Sequence, residues 1–225
     1  MEPISLDDFF NYLPKLNDEE YYLLYLISRD KEAKEELGTS VDKVLFRIIE
    51  VNPKRATEIM KAIRERSEVF TVKGYPVKKE WVKIMFVLNP VNFVKTSRKT
   101  ASRYVDMCGE KADVMKIYHS EMPKNIDFRI FMIDIDSKEK GLLTQLSGIK
   151  SRLVITTKRG FHIHVWKDDV EDPRSLFKLQ GVEVKTRDSI EYVPFIDQGG
   201  FVPQAFRIQD ASEVIELTQN DPGNK

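Results

Sequence analysis

The sequence has little cysteine and no long apolar run, and both absences exclude classes of protein. The single cysteine, Cys108, excludes an internal disulfide and any zinc finger built from several thiolates, and we expect it to pack inside the fold. The longest apolar runs, such as Ile84 to Leu88, are far shorter than the roughly 20 residues of a membrane-spanning helix. The acidic amino terminus also lacks the features of a secretory signal. We therefore expect a cytoplasmic, intracellular protein without a membrane partner.

The chain also lacks net charge, because 36 Lys and Arg residues balance 36 Asp and Glu residues. Bulk charge therefore gives no indication of a polyanionic partner. The charge is unevenly distributed, since residues 81–118 carry seven basic and three acidic side chains. No Gly-x-x-x-x-Gly-Lys-Ser/Thr loop is present, which excludes a fused helicase or ATPase of that type.

The apolar pattern of residues 1–73 predicts a helical region. Asn17 and Glu20 have the spacing of a helix-capping box before Tyr21–Ile27, and Pro53 suits the first turn of a later helix. Between them, residues 40–51 also carry apolar side chains at helical spacing. We expect these helices to pack and to carry no chemistry.

Residues 74–225 form the second predicted unit, in which strand patterns dominate after the turn at residues 73–76. Helical spacing returns only between Thr96 and His119. The order predicts an α+β fold. The predicted strands are Trp81–Leu88, Phe128–Ile135, Leu153–Thr157, Phe161–Trp166, Val182–Thr186 and Glu191–Phe195.

The strand from Phe128 ends in two carboxylates, Asp134 and Asp136. The side-chain period of two in a strand places both on one face, where they repel each other unless a cation or solvent offsets the repulsion. Hard oxygen ligands favour Mg²⁺ or Mn²⁺. The pair is either a metal site or a solvated strand end, and the motif alone leaves both interpretations open.

Two further motifs follow in the chain. Lys158, Arg159 and Gly160 form a predicted tight turn, and the strand after it carries His162 and His164 on one face, an arrangement suited to binding a triphosphate. Buried histidines and solvated basic turns are common alternatives. The third motif places Glu183 and Lys185 on one face of a strand, and its alternative is an exposed cross-strand ion pair.

The order of these motifs resembles the archaeo-eukaryotic primase (AEP) superfamily. Its members carry an apolar strand ending in Asp-x-Asp, then a hairpin of the form Ser-Gly-x-x-Gly-x-His, then an acidic residue on a later strand. Asp134 and Asp136 match the first motif, Gly160 and His162 match the second, and Glu183 matches the third. Residues 156–157 depart from the pattern, because Thr-Thr replaces the leading Ser-Gly. The resemblance covers about residues 81–207.

The resemblance implies an AEP/RRM-like catalytic core, with a mixed or antiparallel sheet flanked by helices, that acts as a template-directed primase-polymerase. Its expected partners are a DNA template and primer, dNTPs or NTPs, and a helicase or another replication protein. Two Mg²⁺ or Mn²⁺ ions are the implied cofactors. The implied catalytic and metal-binding residues are Asp134, Asp136 and Glu183, and the implied nucleotide-binding residues are Lys158, Arg159, His162 and Lys185.

Two other functions fit parts of the sequence. His162 and His164 form a His-x-His pair, which also occurs in rolling-circle replication (HUH-type) endonucleases that cleave DNA through a tyrosine. Tyr192 is the only tyrosine after this pair, and it lies in a strand-like run instead of the expected helix. The other alternative is a non-catalytic, nucleic-acid-binding accessory subunit of replication.

Overall fold

The computed structural model describes residues 1–107, 112–187 and 189–219, so that Cys108 lies outside the described residues. None of the helices in these ranges is long and apolar enough to cross a membrane. The described α-helices are α1 (Leu6–Tyr12), α2 (Lys31–Leu37), α3 (Pro53–Arg64), α4 (Phe93–Asp106), α5 (Val114–Glu121), α6 (Lys140–Thr144) and α7 (Val214–Gln219).

The helices lie between groups of strands along the chain, and every strand pairing among the described residues is antiparallel, so the fold is α+β. The described strands are β1 (Glu20–Ser28), β2 (Lys43–Glu50), β3 (Thr71–Val72), β4 (Tyr75–Pro76), β5 (Val82–Val87), β6 (Val91–Asn92), β7 (Ile130–Ile135), β8 (Leu153–Thr156), β9 (Phe161–Trp166), β10 (Glu183–Lys185), β11 (Ile190–Tyr192) and β12 (Ala205–Arg207).

Two five-stranded sheets enclose the main core. The first has the order β11–β5–β1–β2, with β6 paired to β1, and the second has the order β10–β7–β9–β8–β12. Alternate residues of each strand face the other sheet: Leu24 and Phe86 from the first sheet share one buried cluster with Met132 and Ile155 from the second. Helices α6 and α7 cover the far side of the second sheet, where Ile133 belongs to a separate cluster.

The prediction of a helical region at residues 1–73 is wrong for its two longest apolar segments. Residues 20–28 form β1 and residues 43–50 form β2, and both lie in the first sheet. Because β1 also pairs with β5, strands from both sides of residue 73 share that sheet. The helix predicted from Pro53 is confirmed as α3, and the side chain of Asn52 accepts a hydrogen bond from the Arg55 amide at its start.

Burial explains why β1 was mistaken for a helix. A strand in the middle of a sheet is covered on both faces, so its apolar residues run without alternation, and a short run of this kind does not distinguish a strand from a helix. The Asn17 amide does donate to the Glu20 carboxylate at 2.9 Å, as in a capping box, but this bond closes a turn before a strand.

The strands predicted from residue 81 onward are confirmed, with bounds shifted by a few residues, and the helical segment after Thr96 is present as α4 and α5. Asn89, in the turn after β5, joins the two sheets. Its buried side chain accepts hydrogen bonds from the amides of Arg129 and Ile130 and donates to the carbonyl oxygens of Ile130 and Thr186. The start of β7 and the residue after β10 are therefore fixed to the first sheet by one amide.

The Asn89→Ala variant tests this connection. Because it removes four hydrogen bonds to backbone groups, two of them buried, we expect a loss of about 3 kcal/mol in the free energy of unfolding, measured by urea denaturation. Asn52→Ala, which removes only the cap of α3, is the matched control with an expected loss of about 1 kcal/mol. Equal losses in the two variants would contradict the role of Asn89.

Candidate active site

Residues from all three sequence motifs lie in one row across the second sheet. Asp134 on the central strand β7 is directly opposite Glu183 on β10 and directly opposite His162 on β9. Directly opposite residues of antiparallel strands have their side chains on the same face, about 5 Å apart. Asp134 and Glu183, which are 49 positions apart in the sequence, are thus neighbours in the sheet.

Asp134 is the centre of this row and contacts two basic side chains. One carboxylate oxygen, Oδ1, lies 3.3 Å from Nε2 of His162, and the other accepts a hydrogen bond from the Lys185 ammonium. The same ammonium is 3.4 Å from the Glu183 carboxylate. Lys185 therefore lies between two carboxylates from adjacent strands.

The charges in this row hold one another in the ionised state. Burial alone raises the pKa of Asp134, but the hydrogen bond and charge of His162, together with Lys185, outweigh burial and lower the pKa to about 2. Burial alone lowers the pKa of His162, but the charge of Glu191 and the bond to Asp134 raise it to about 10. At neutral pH the site contains a carboxylate flanked by an imidazolium and an ammonium.

Glu191 is the residue that the sequence analysis missed. It comes from β11, in the first sheet, and is fully buried. Its two carboxylate oxygens accept hydrogen bonds from Nδ1 of His162 at 2.8 Å and from Nε2 of His164 at 2.9 Å. The charges and hydrogen bonds of these histidines overcome the effect of burial and lower the pKa of Glu191. One buried carboxylate thus orients both rings of the His-x-His pair.

Aromatic rings cover the two histidines. Tyr192 stacks on His162 with 5.9 Å between ring centroids and 11° between the planes, and Tyr12 of α1 stacks on His164 at 5.8 Å.

The sequence signal that could have identified Glu191 was its position as one carboxylate between Ile190 and Tyr192 in an otherwise apolar strand. A buried carboxylate in such a strand needs a basic partner.

Asp136 and Glu183 lie at the exposed side of the site. Asp136 follows the last residue of β7 and is exposed, and the Glu183 side chain is 70% exposed. Burial raises the pKa of Tyr192, and the charges of both Asp134 and Asp136 add to this effect, so both aspartates are near that ring. The charges of both carboxylates of the first motif therefore act on the Tyr192 hydroxyl.

The basic turn lies apart from the row. Lys158 and Arg159 are both exposed, and Lys158 is 3.6 Å from Glu32 of α2. Within the described ranges, no ion pair joins either residue to Asp134. Gly160 does not have a left-handed backbone, but a Cβ at this position would lie 1.8 Å from the Ile135 carbonyl oxygen. Glycine is required because the turn packs directly on the end of β7.

The carboxylates of the row are the type of ligand that a hard divalent cation prefers. However, the ammonium of Lys185 occupies the position between Asp134 and Glu183. The described residues contain no group of three His, Cys, Asp or Glu side chains arranged to hold a metal ion. A metal ion at this position therefore requires Lys185 to move away from Asp134.

Comparisons of this chain with protein-family models, with curated proteins and with solved structures give no match. The geometry of the row and the sequence motifs remain the basis for inferring function.

The raised pKa of His162 makes stability depend on pH. A histidine whose pKa rises from 6.5 to about 10 on folding stabilises the protein fully below pH 6.5, and this stabilisation is lost as the pH rises towards 10. We expect the melting temperature to fall over this interval and to fall less in His162→Gln. His119→Gln is the control, because burial lowers the pKa of His119. The same alkaline fall in wild type and His162→Gln would contradict the assignment.

Glu191 and Glu183 provide a matched pair of variants. Glu191→Gln removes a fully buried charge that two histidines contact, and we expect a loss of about 3 kcal/mol in the free energy of unfolding. Glu183→Gln removes a largely exposed charge, with an expected loss below about 0.5 kcal/mol. Chemical denaturation at pH 7 measures both. A Glu191→Gln protein as stable as Glu183→Gln would show that the buried contacts carry no net stabilisation.

Proposed function

We propose that this protein is a template-directed primase-polymerase of AEP type, a nucleotidyltransferase with an AEP/RRM-like core. The observation that supports the proposal best is the cross-strand row of Glu183, Asp134 and His162, because the three motifs of the resemblance meet there. Glu183, Asp134 and His162 can be directly opposite one another only if the three strands that carry them are neighbours in the sheet. An incidental match of three short motifs does not require such proximity.

In the proposed reaction, Asp134, Asp136 and Glu183 hold divalent metal ions. Bound Mg²⁺ or Mn²⁺ supplies the chemistry that lowers the pKa of the primer 3′-hydroxyl and neutralises the leaving pyrophosphate. Asp134 is suited to this role because it stays ionised at neutral pH. Asp136 and Glu183 are exposed and accessible from solvent at the same end of the sheet.

The basic residues of the site bind the triphosphate in this proposal. His162 carries a proton that Glu191 and Asp134 stabilise, so it supplies a positive charge whose position is fixed before the nucleotide arrives. Lys185 offers a second positive charge on the neighbouring side of Asp134. Lys158 and Arg159 are exposed in the turn before β9 and supply further positive charge for the triphosphate in this proposal.

The endonuclease alternative receives less support from the geometry. Such an enzyme needs its His-x-His pair open to a metal ion and a DNA phosphate, whereas His164 and Glu191 are fully buried and bonded to each other. Tyr192 lies on strand β11 and stacks on His162. The accessory-subunit alternative predicts nucleic-acid binding without incorporation under any divalent ion.

Extension of a labelled primer on a template strand tests the proposal, with dNTPs or NTPs and with Mg²⁺ or Mn²⁺. Because Asp134 lies at the centre of the row, we expect Asp134→Asn to lower the incorporation rate by about 10³-fold or more at a temperature where circular dichroism shows the variant to be folded. Asp42→Asn, at an exposed position far from the row in sequence, is the matched control and should extend normally. Full activity in Asp134→Asn would contradict the assignment.

Titration with Mn²⁺, followed by calorimetry or electron paramagnetic resonance, tests metal binding without catalysis. The wild type should bind Mn²⁺, and Asp134→Asn should bind it about tenfold or more weakly. Lys185→Gln removes the ammonium from between the carboxylates and should retain or strengthen Mn²⁺ binding. Absence of any Mn²⁺ binding by wild type would argue against the metal-dependent reaction and favour the accessory subunit.

A further inference from the structure

Helix α4 carries a stripe of basic side chains on the side that faces solvent. With about 3.6 residues per turn, four exposed residues lie within about 100° of its circumference: Lys95, Arg98, Lys99 and Ser102. We call these four residues the basic stripe. The stripe is about 10 Å long, because each residue adds about 1.5 Å along the helix axis.

The buried side of α4 fixes the direction of the stripe. Thr96 and Thr100 are the buried residues of the helix, and the hydroxyl of each donates to the backbone carbonyl oxygen four positions earlier. Through its other sides α4 packs on β1, β6 and α5. The basic stripe therefore points away from the rest of the fold and is open to solvent.

The charges of the stripe have no partner in the protein. Within the part of the chain that the structure describes, the side chains of Lys95, Arg98 and Lys99 form no ion pair and no hydrogen bond. Exposed basic side chains on α3 behave differently, because each is close to a carboxylate: Lys54 is 2.8 Å from Asp7, Arg55 is 3.9 Å from Glu50 and Lys61 is 2.9 Å from Glu58.

Two acidic residues are near the stripe but do not pair with it. Asp106 is the last residue of α4, about 10 Å along the axis beyond the nearest basic residue of the stripe. Asp127 lies 3.3 Å from Arg129. The pKa of Asp127 is lowered first by hydrogen bonds with Glu20 and Arg129, and then by the charges of Arg129 and Lys95.

The placement of these charges costs the helix stability. Lys95 is three positions before Arg98 and four before Lys99, and like charges at these spacings repel each other. Lys95 is also in the first turn of α4, where the helix dipole disfavours a cation and no acidic residue offsets it. An external anion along the stripe would relieve both effects.

We propose that the basic stripe binds the phosphates of a nucleic-acid duplex and, in a step that rests on the proposed function, that this duplex is the primer–template. Each strand of a duplex has a phosphate about every 3.4 Å along its axis, so about three phosphates of one strand face a stripe of this length. Contacts of this kind position a protein on nucleic acid without reading its sequence.

The stripe fits a duplex better than a single strand. Proteins that bind single strands combine positive charge with aromatic rings on which the exposed bases stack. The exposed aromatic residues of α4, Phe93 and Tyr104, lie on the other side of the helix from the stripe. A stripe with charge and no rings matches a partner whose phosphates are outside and whose bases are inside.

Binding of a short fluorescently labelled DNA duplex, measured by anisotropy without divalent ions or nucleotides, tests this inference. Lys95→Gln/Arg98→Gln/Lys99→Gln should weaken binding about tenfold or more at low salt. It should also reduce the slope of log K against log salt by about 2.7, because each lost phosphate contact removes about 0.9. Lys95→Arg/Lys99→Arg keeps the charges and should bind like wild type.

The matched control is Lys54→Gln/Arg55→Gln/Lys61→Gln on α3. It removes the same number of positive charges from side chains that have carboxylate partners, so it should keep the wild-type slope. All variants are compared at a temperature where circular dichroism shows them to be folded.

Equal losses in the two triple variants would overturn the inference, because bulk charge alone would then explain the binding. A wild type that binds no duplex at low salt would also overturn it. The same holds if the stripe binds anionic lipid vesicles but no duplex, or if it binds an unpaired strand more tightly than the duplex.

Failure of this inference is distinguishable from failure of the proposed function. Duplex binding needs no catalysis, so a protein that binds a duplex through the stripe but never extends a primer contradicts only the polymerase proposal. A protein that extends primers while its two triple variants bind the duplex equally contradicts only the role of the stripe.

Discussion

The buried contact of Glu191 with two histidines is the interaction on which the geometry of the site depends. A carboxylate without access to water costs several kcal/mol unless it has charged or hydrogen-bonding partners, and Glu191 has two. Its partners, His162 and His164, are on a strand of the other sheet. Satisfying this one charge therefore fixes the distance and orientation between β11 and β9, and with them the direction in which His162 points at Asp134.

A second polar connection, at Asn89, acts on the opposite ends of the same strands. Its amide binds the start of β7 and the residue after β10, so the strands of Asp134 and Glu183 are held to the first sheet independently of Glu191. Apolar packing between the sheets supplies most of the stabilisation but little directional preference. The hydrogen bonds of Glu191 and Asn89 are directional, so they fix how the strands of the two sheets are placed relative to each other. This explains why the charged side chains of the row keep their positions although some of them are exposed.

The sequence allowed the second sheet to be predicted well and the first sheet poorly, for a physical reason. Strands β7 and β9 end or begin at polar motifs and tight turns, which mark their bounds. Strand β1 is covered on both faces and has no such alternation, and the local bond between Asn17 and Glu20 imitates a helix cap. Only the tertiary pairing with β5 decides that this segment is extended.

For the site, the residues of the row could be predicted because their chemistry stands out in apolar strands. Glu191 could not be assigned in the same way, because its partners lie 27 and 29 residues away and on another sheet. The role of Gly160 was also beyond the sequence, since the close approach to Ile135 exists only once β9 is paired with β7. Contacts between sheets, unlike periodicity within a strand, leave little trace in a single sequence.

Lys185 shows how the observed site and the proposed function fit together. In the structure its single positive charge lies between Asp134 and Glu183 and reduces the repulsion between these two carboxylates. Under the proposed function, a nucleotide arrives as a complex of triphosphate and divalent cation. Lys185 can then exchange the carboxylates for the phosphates, because both are anions, while the carboxylates receive a cation in its place. Each anionic group would keep a cationic partner through the exchange, so the resting contact of Lys185 with Asp134 is compatible with metal-dependent nucleotidyl transfer.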